Sequence, residues 1–387
     1  MLFTVPPLAG HVNPTVAVGA ELASRGHEIA WTGPAGALTR LLPAQARVLP
    51  AGEEAGGAYT ELHERWRDLR GVGALRFLWE EALVPLARAM VPGVERAVRT
   101  FGPDVVVADQ QALAGPLVAR RLGVPWATSA STSAELTRPF ADFPKVGEWV
   151  AGQIAGLCAE YGAGPERPGW DPRFSDRLVL VFSTPELVGT TGDFPPHHAY
   201  VGPAFGARPT PPDFPWQRLD PGRRRVLVSL GTLNREAGAR FYDAVLGAAE
   251  RLADEVQLVL VAPAALVGEV PDHVLLQESV PQPELLPHLD AVVCHAGHNT
   301  VCEALAHGLP LVVAPIRDDQ PIVARQVVEA GAGIRVRFGR TRAEELRDAL
   351  TSVLDDPGHR RAARRIQASF AAAGGAAAAA DRLEKLT

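Results

Sequence analysis

Two stretches far apart in the chain, PDVVVADQQALAGPLVARRLGVPWATSA and LDAVVCHAGHNTVCEALAHGLPLVVAPI, follow one plan: an apolar run of strand length, a helix, a Gly-x-Pro turn and a second apolar run. The runs are continuously Val-rich rather than alternating. That marks strands covered on both faces, as in a parallel sheet flanked by helices. The same plan opens each half. LFTVPPLAGHVNP reads as strand, turn and helix, with Asn13 and Pro14 as N-cap and first helical residue of a helix through Arg25. RRVLVSLGTLNREAGARFYDAVLGAAERLA restarts it, with a strand at Val226 to Ser229 and a helix from about Glu236 to Leu252.

At 387 residues the chain exceeds the size at which one core stops growing, so two domains are expected. The predicted fold class is α/β: two doubly wound, Rossmann-like parallel-sheet domains facing a cleft, where open α/β sheets take ligands. The boundaries follow composition. Residues 1–208 form the first domain, and 209–224 a connector within VGPAFGARPTPPDFPWQRLDPGRR, which carries six prolines between Pro203 and Pro221. Residues 225–365 form the second, and 366–387 a tail, broken at Gly374 and Gly375, whose alanine-rich end has the propensity to form a helix crossing back to the first domain.

A net charge of -6 gives no global field for nucleic acid or anionic lipid. No apolar run reaches the roughly 18 residues of a membrane span, and LFTVPPLAG after Met1 lacks the pattern of a secretory signal, so a cytoplasmic protein without stable membrane insertion is expected. Cys158, Cys294 and Cys302 are too few for a disulfide framework and read as free thiols.

The segment CHAGHNTVCEALAHG concentrates two cysteines and three histidines. Zinc would need paired ligand spacing, which Cys294, His295, His298 and Cys302 lack, and Cys294 closes a buried run. The second reading is a strand-to-helix loop. Gly297 lets the backbone approach a ligand, and the amides of Gly297 to Thr300, the helix dipole, the Thr300 hydroxyl and the His295 ring are equipped for a diphosphate without a metal.

These residues carry a resemblance. HAGHNTVCEALAHGLPLVVAPIRDDQPIVARQVVEAGAG resembles the donor-binding signature of family 1 glycosyltransferases of the GT-B fold, including bacterial antibiotic and macrolide glycosyltransferases. GHVNP, SLGT at Ser229 to Thr232, SVPQPELLPHLD and the DQ pair occur in that family's order, so the resemblance spans nearly the whole chain. It implies that His295, Gly297, Asn299 and Thr300, aided by Thr232, hold the diphosphate of a nucleotide sugar. Val280 and Gln282 would sit beside the base, Glu303 on the ribose hydroxyls, and Asp319 and Gln320 on the sugar. Two departures stand out: Ala296 replaces the usual second Gly, and no Trp precedes Val280.

Sugar transfer to a hydroxyl requires a base. His11 follows the first strand and precedes a helix, and Asp109 ends a strand expected near the first, whereas Asp104 starts that strand at the wrong end. A carboxylate there would orient the imidazole, and the resemblance assigns these roles to a His and an Asp at these places. The expected activity is inverting, metal-independent transfer of glucose or a related hexose, from UDP, to a lipophilic small-molecule acceptor, with no cofactor. A nucleotide-sugar epimerase of the same fold and a non-catalytic nucleotide-sugar binding protein are the rivals. A homodimer stays open. Trp66, Phe77, Trp79, Phe140, Phe143 and Trp149 would suit an apolar acceptor pocket, but at helical spacing they equally suit a core.

Overall fold

The computed structural model describes residues 1–52, 65, 69, 71–137, 140–163, 170–189, 195–206, 213–231 and 238–387. The chain divides into two compact units, Met1–Thr184 with Thr191–Pro209 and Ala373–Thr387, and Pro185–Thr190 with Thr210–Ala372.

In the first unit the strands are β1 (Leu2–Thr4), β2 (Ala30–Gly33), β3 (Val48–Pro50), β4 (Val106–Asp109), β5 (Trp126–Ala130), β6 (Val179–Val181) and β7 (His198–Tyr200). They form one sheet in the order β3-β2-β1-β4-β5-β6-β7, every pair parallel. The second unit has β8 (Arg224–Ser229), β9 (Val256–Val261), β10 (Val274–Gln277), β11 (Ala291–Cys294), β12 (Leu311–Val313) and β13 (Gly333–Arg335). Their order, β10-β9-β8-β11-β12-β13, again all parallel, repeats that of the first six strands. Both are the doubly wound topology, whose order reverses between the first and fourth strands.

Packing explains the apolar runs. Val106 and Ala108 face one core layer and Val105 and Val107 the other, and Leu227 and Val259 likewise alternate with Val226 and Leu258. Each Gly-x-Pro is a helix stop. Gly123 (φ +70) and Gly308 (φ +65) are left-handed, and the N–H of the next residue returns to the last turn: Val124 to the Ala119 carbonyl at 2.9 Å, Leu309 to that of Ala304 at 3.1 Å. The prolines then start the new strands, with Val106 and Val292 donating to the carbonyls of Pro125 and Pro310.

The first helix departs from expectation. It spans Ala9–Ser24 with Leu8 as N-cap, so Asn13 and Pro14 lie inside it and His11 is in its first turn. The N–H groups of His11 and Val12 already donate to the Leu8 carbonyl at 3.0 Å. Pro14 removes one later bond, and the packing of Val12, Val16 and Val18 in the core offsets it. The second-unit helix is Ala239–Arg251.

Long-range contacts decide unit membership. The helix Pro357–Ala373 is unbroken through residue 365, so the second unit runs to Ala372. Left-handed Gly374 (φ +88) then separates it from the helix Gly375–Leu383, whose first residue is left-handed as well (φ +56). That helix packs on Ala9–Ser24 in the first unit, burying Ala379, Ala380 and Leu383. Arg25 pairs with Asp381 at 2.7 Å and Glu384 at 2.9 Å, and His27 with Glu384 at 2.9 Å. Pro185–Val188 joins the second unit, with Leu187 in its core.

Among the described residues no helix is long and apolar enough to cross a membrane. Trp79 is a core residue at 2% exposure, and Phe140 and Trp149 pack against the same core; Phe77, 7% exposed, is buried with Ala74 in a small separate cluster, and Phe143 is exposed. Trp66 lies outside the described residues.

Gly93, inside the helix Val84–Phe101, lies against Ala51, whose Cα would be 2.5 Å from an added Cβ. Helix propensity alone favours Gly93→Ala by about 1 kcal/mol. Steric overlap with backbone reverses the sign, so this variant is expected to lose about 1–3 kcal/mol and melt at lower temperature. A melting temperature at or above wild type would show that the contact yields freely.

Candidate functional site

In the first unit the reversal of strand order falls between β1 and β4, and the chain places His11 beyond β1 and Asp109 at the end of β4. His11 Nδ1 lies 2.8 Å from Asp109 Oδ1, with the carboxylate fully buried and the imidazole 15% exposed. The Gln111 N–H donates to the same carboxylate oxygen at 2.8 Å. A carboxylate on Nδ1 holds the ring proton there and leaves Nε2 with the lone pair, the arrangement of a histidine ready to accept a proton.

A third residue, which the sequence did not single out, completes this cluster. Ser131 Oγ lies 2.6 Å from Asp109 Oδ2 and 2.8 Å from His11 Nδ1, and the residue is 3% exposed. The available signal was period two. Asp109 pairs in register with Ser129, so Ser131, two residues on, returns to the face of Asp109.

The second unit builds its cluster at the matching reversal, between β8 and β11. Gly231 follows β8 in the left-handed conformation at φ +72, and His295 follows β11. The His295 ring rests on two glycines: an added Cβ at Gly231 would stand 2.6 Å from its Cε1, and one at Gly297 2.4 Å from its Nε2. Burial pushes the imidazole down to about 4, outweighing the opposing pull of Asp319, so the ring is neutral at ordinary pH.

Gly297 is the N-cap of the helix His298–Ala306, so Asn299 and Thr300 lie in its first turn, at the positive end of its dipole. Ala296, the departure from the family signature, adopts φ +64 despite its side chain and is fully buried. Glu303, one turn further, is 4% exposed and accepts a hydrogen bond from Gln282 Nε2 at 2.7 Å. The expected base and ribose positions are therefore joined. Val280 packs partly buried against the same core.

After β12, Asp319 is the N-cap of the helix Gln320–Glu329. Gln320 is buried, and its Oε1 accepts the N–H groups of Ile316 at 2.9 Å and Arg317 at 3.1 Å. That fixes the amide plane and leaves Gln320 only its NH2 to offer a ligand. Arg317, 5% exposed, adds a buried cation near His295 that the sequence reading passed over. Thr232 lies outside the described residues.

His298 turns inward, with Cys302 Sγ 3.5 Å from its Nε2. Burial pushes the Cys294 thiol up to about 12 and raises that of Cys302 further, so both are protonated packing residues rather than thiolate ligands. Among the described residues no group of three or more His, Cys, Asp or Glu side chains is disposed to hold a metal ion.

Comparison with known proteins agrees with this architecture. Residues 243–386 match the family model of the erythromycin biosynthesis protein CIII-like C-terminal domain. The whole chain aligns with 99% of 4'-demethylrebeccamycin synthase of Lentzea aerocolonigenes at 30% identity. The chain belongs to the family 1 glycosyltransferases of the GT-B fold. Within that family it is also 31% identical to demethyllactenocin mycarosyltransferase of Streptomyces fradiae, over 99% of this chain and 86% of the relative. The crystal structure of a calicheamicin glycosyltransferase superposes with a TM-score of 0.79 at 26% identity, covering 100% of this chain and 97% of that one. Both Rossmann-like sheets of this glycosyltransferase are thus those of the GT-B fold.

The His295 contact yields a double-mutant test. Gly297 has φ -63, open to any residue, so Gly297→Ala is opposed by the ring rather than by the backbone. The substitution is expected to destabilise the protein by about 1–3 kcal/mol in the presence of His295 and by clearly less in a His295→Ala background. Equal losses in the two backgrounds, measured by denaturant unfolding, would remove the ring as the cause.

Proposed function

We propose that this glycosyltransferase moves a hexose, glucose or a close relative, from a nucleoside diphosphate to a hydroxyl of a lipophilic natural product, with inversion and without a metal ion. The observation that carries the reading is the His11 to Asp109 contact at 2.8 Å, with the ring partly open and the carboxylate buried. Nε2 takes the acceptor's proton as its oxygen forms a bond to the anomeric carbon. The bond from that carbon to the diphosphate breaks, and the imidazolium is held by Asp109. Displacement in one step inverts the anomeric centre.

The leaving diphosphate gains negative charge, and the first turn of the helix His298–Ala306 with the His295 ring supplies donors suited to it. Those donors support a reaction without a divalent ion. The natural-product class of the acceptor rests on the relatives, whose names include a mycarosyltransferase and a 4'-demethylrebeccamycin synthase. An epimerase of the same fold needs no base for an acceptor hydroxyl, which favours transfer.

Purified protein with a nucleotide sugar, an alcohol acceptor panel and excess chelator is expected to form β-glycoside. His11→Ala should lower turnover by roughly 10² to 10⁴ with nucleotide affinity little changed. Activity that vanishes in chelator and returns with magnesium would overturn the metal-free reading, and near-normal turnover of His11→Ala would overturn the base.

The nucleotide is proposed to be UDP. Glu303, held by Gln282, is a buried carboxylate able to accept from both ribose hydroxyls, and a deoxyribose leaves one position unanswered. Hydrogen bonds to charged groups contribute about 1.5–3 kcal/mol, so UDP-glucose is expected to be used roughly ten-fold or more better than dTDP-glucose. Competition kinetics on the wild type and Glu303→Ala test this. Equal use of both donors, or a preference that survives the substitution, would take Glu303 out of the nucleotide site.

A further inference from the structure

Three short contacts join His11, Asp109 and Ser131, and the protons available to them are few. Ser131 Oγ stands 2.6 Å from Asp109 Oδ2 and 2.8 Å from His11 Nδ1, while Nδ1 stands 2.8 Å from Asp109 Oδ1. An ionised carboxylate brings no proton, the hydroxyl brings one, and a neutral imidazole brings one. If the hydroxyl donated to Nδ1, the ring nitrogen would have no hydrogen to give, and its lone pair would face Oδ1 at 2.8 Å. One assignment satisfies every contact. Ser131 donates to Oδ2, and the Nδ1–H is shared between Oδ1 and the Ser131 oxygen.

This geometry separates Ser131 from the serine of a hydrolytic triad. There the hydroxyl sits at Nε2, opposite the carboxylate, and is the nucleophile. Here it shares the Nδ1 edge with Asp109 and its proton is committed to the carboxylate. We infer that Ser131 is a positioning residue for the base: it locks the His11 ring in the Nδ1–H tautomer and spreads the charge of Asp109 over a second donor. The inference rests on the proposed role of His11 and adds a residue to it.

The consequences are specific. Oδ2 of Asp109 is buried, and without the hydroxyl it loses its 2.6 Å partner. The carboxylate charge then acts more fully on the imidazole and favours its protonated form. Ser131→Ala is therefore expected to lower kcat roughly ten-fold through a less constrained ring. It should also move the acid limb of the kcat/KM profile to higher pH by about half a unit or more. The KM for the nucleotide sugar should stay as in the wild type. Ser131→Thr keeps a hydroxyl and should restore the limb.

The experiment compares wild type, Ser131→Ala, Ser131→Thr and His11→Ala in full pH profiles of kcat and kcat/KM, with thermal melts to confirm folding. A shifted acid limb in the alanine variant that returns in the threonine variant supports the inference. An unshifted limb in Ser131→Ala beside an inactive His11→Ala overturns the Ser131 role and leaves the base intact, even if kcat has fallen. Near-normal turnover of His11→Ala overturns the base and the Ser131 role with it. If Ser131→Ala does not fold, Ser131→Thr and Ser131→Cys decide: the first must keep the wild-type limb and the second, a weak donor, must shift it.

Discussion

In each unit the site depends on the pairing of the first strand with the fourth, β1 on β4 and β8 on β11. The chain winds outward from the first strand, then returns to the other side of it. The helices after these two strands thus leave in opposite directions, and the sheet cannot be closed over at its carboxyl edge between them. His11 and Asp109 meet there in one unit; Gly231 and His295 meet there in the other. The pairing is strong because both strands are apolar on both faces. Val106, Val107, Val292 and Val293 are each at most 1% exposed, so both faces are covered, and a slip of one residue would exchange the two faces of the strand and misplace everything beyond the strand ends.

The two clusters use this position for opposite electrostatics. In the first unit a buried carboxylate accepts from the Gln111 amide, the Ser131 hydroxyl and the His11 ring, so a charge is kept inside the protein by satisfying it. In the second unit the histidine is kept neutral by burial between glycines, and the positive character comes from a helix terminus and a buried arginine. Under the proposed function the first arrangement suits a proton acceptor, whose charged form needs a partner, and the second suits an anion, whose donors should not depend on titration.

The fold was legible because its signals are local. The apolar runs, the Gly-x-Pro stops and the restart at Val226 each sit within a few residues, and each corresponds to a strand or a helix end in the structure. The errors came where a local rule met a longer-range one. Asn13 and Pro14 are a good helix start, yet helix began at Ala9, where Val12 could join the core. The membership of Pro185–Thr190 in the second unit and of Ala373–Thr387 in the first depends on contacts no linear reading supplies. Ser131 was missed for the same reason. Its place beside Asp109 follows from the register of β4 with β5, and register is a property of the sheet rather than of either strand.

Strain marks the second cluster independently of its chemistry. Among the described residues two that are not glycine have positive φ: Ala296 at +64 and Asp318 at +58. Each follows a strand of the second sheet, β11 or β12, within a few residues. An L-residue in this conformation costs roughly 1–2 kcal/mol, and such positions persist only where the surroundings over-determine them. The surroundings here do. The Cys294 carbonyl accepts the Ala314 N–H at 2.8 Å before Ala296, the Val301 N–H reaches the Gly297 carbonyl at 3.0 Å after it, and Gln320 clamps the two amides ahead of Asp318. A glycine at 296 would relieve the strain but would free the turn in the unfolded and folded chain alike. Alanine narrows the choices open to the unfolded chain, and at 296 it is fully buried in the core. The departure from the usual glycine thus leaves a strained, buried side chain at the turn between β11 and the helix His298–Ala306.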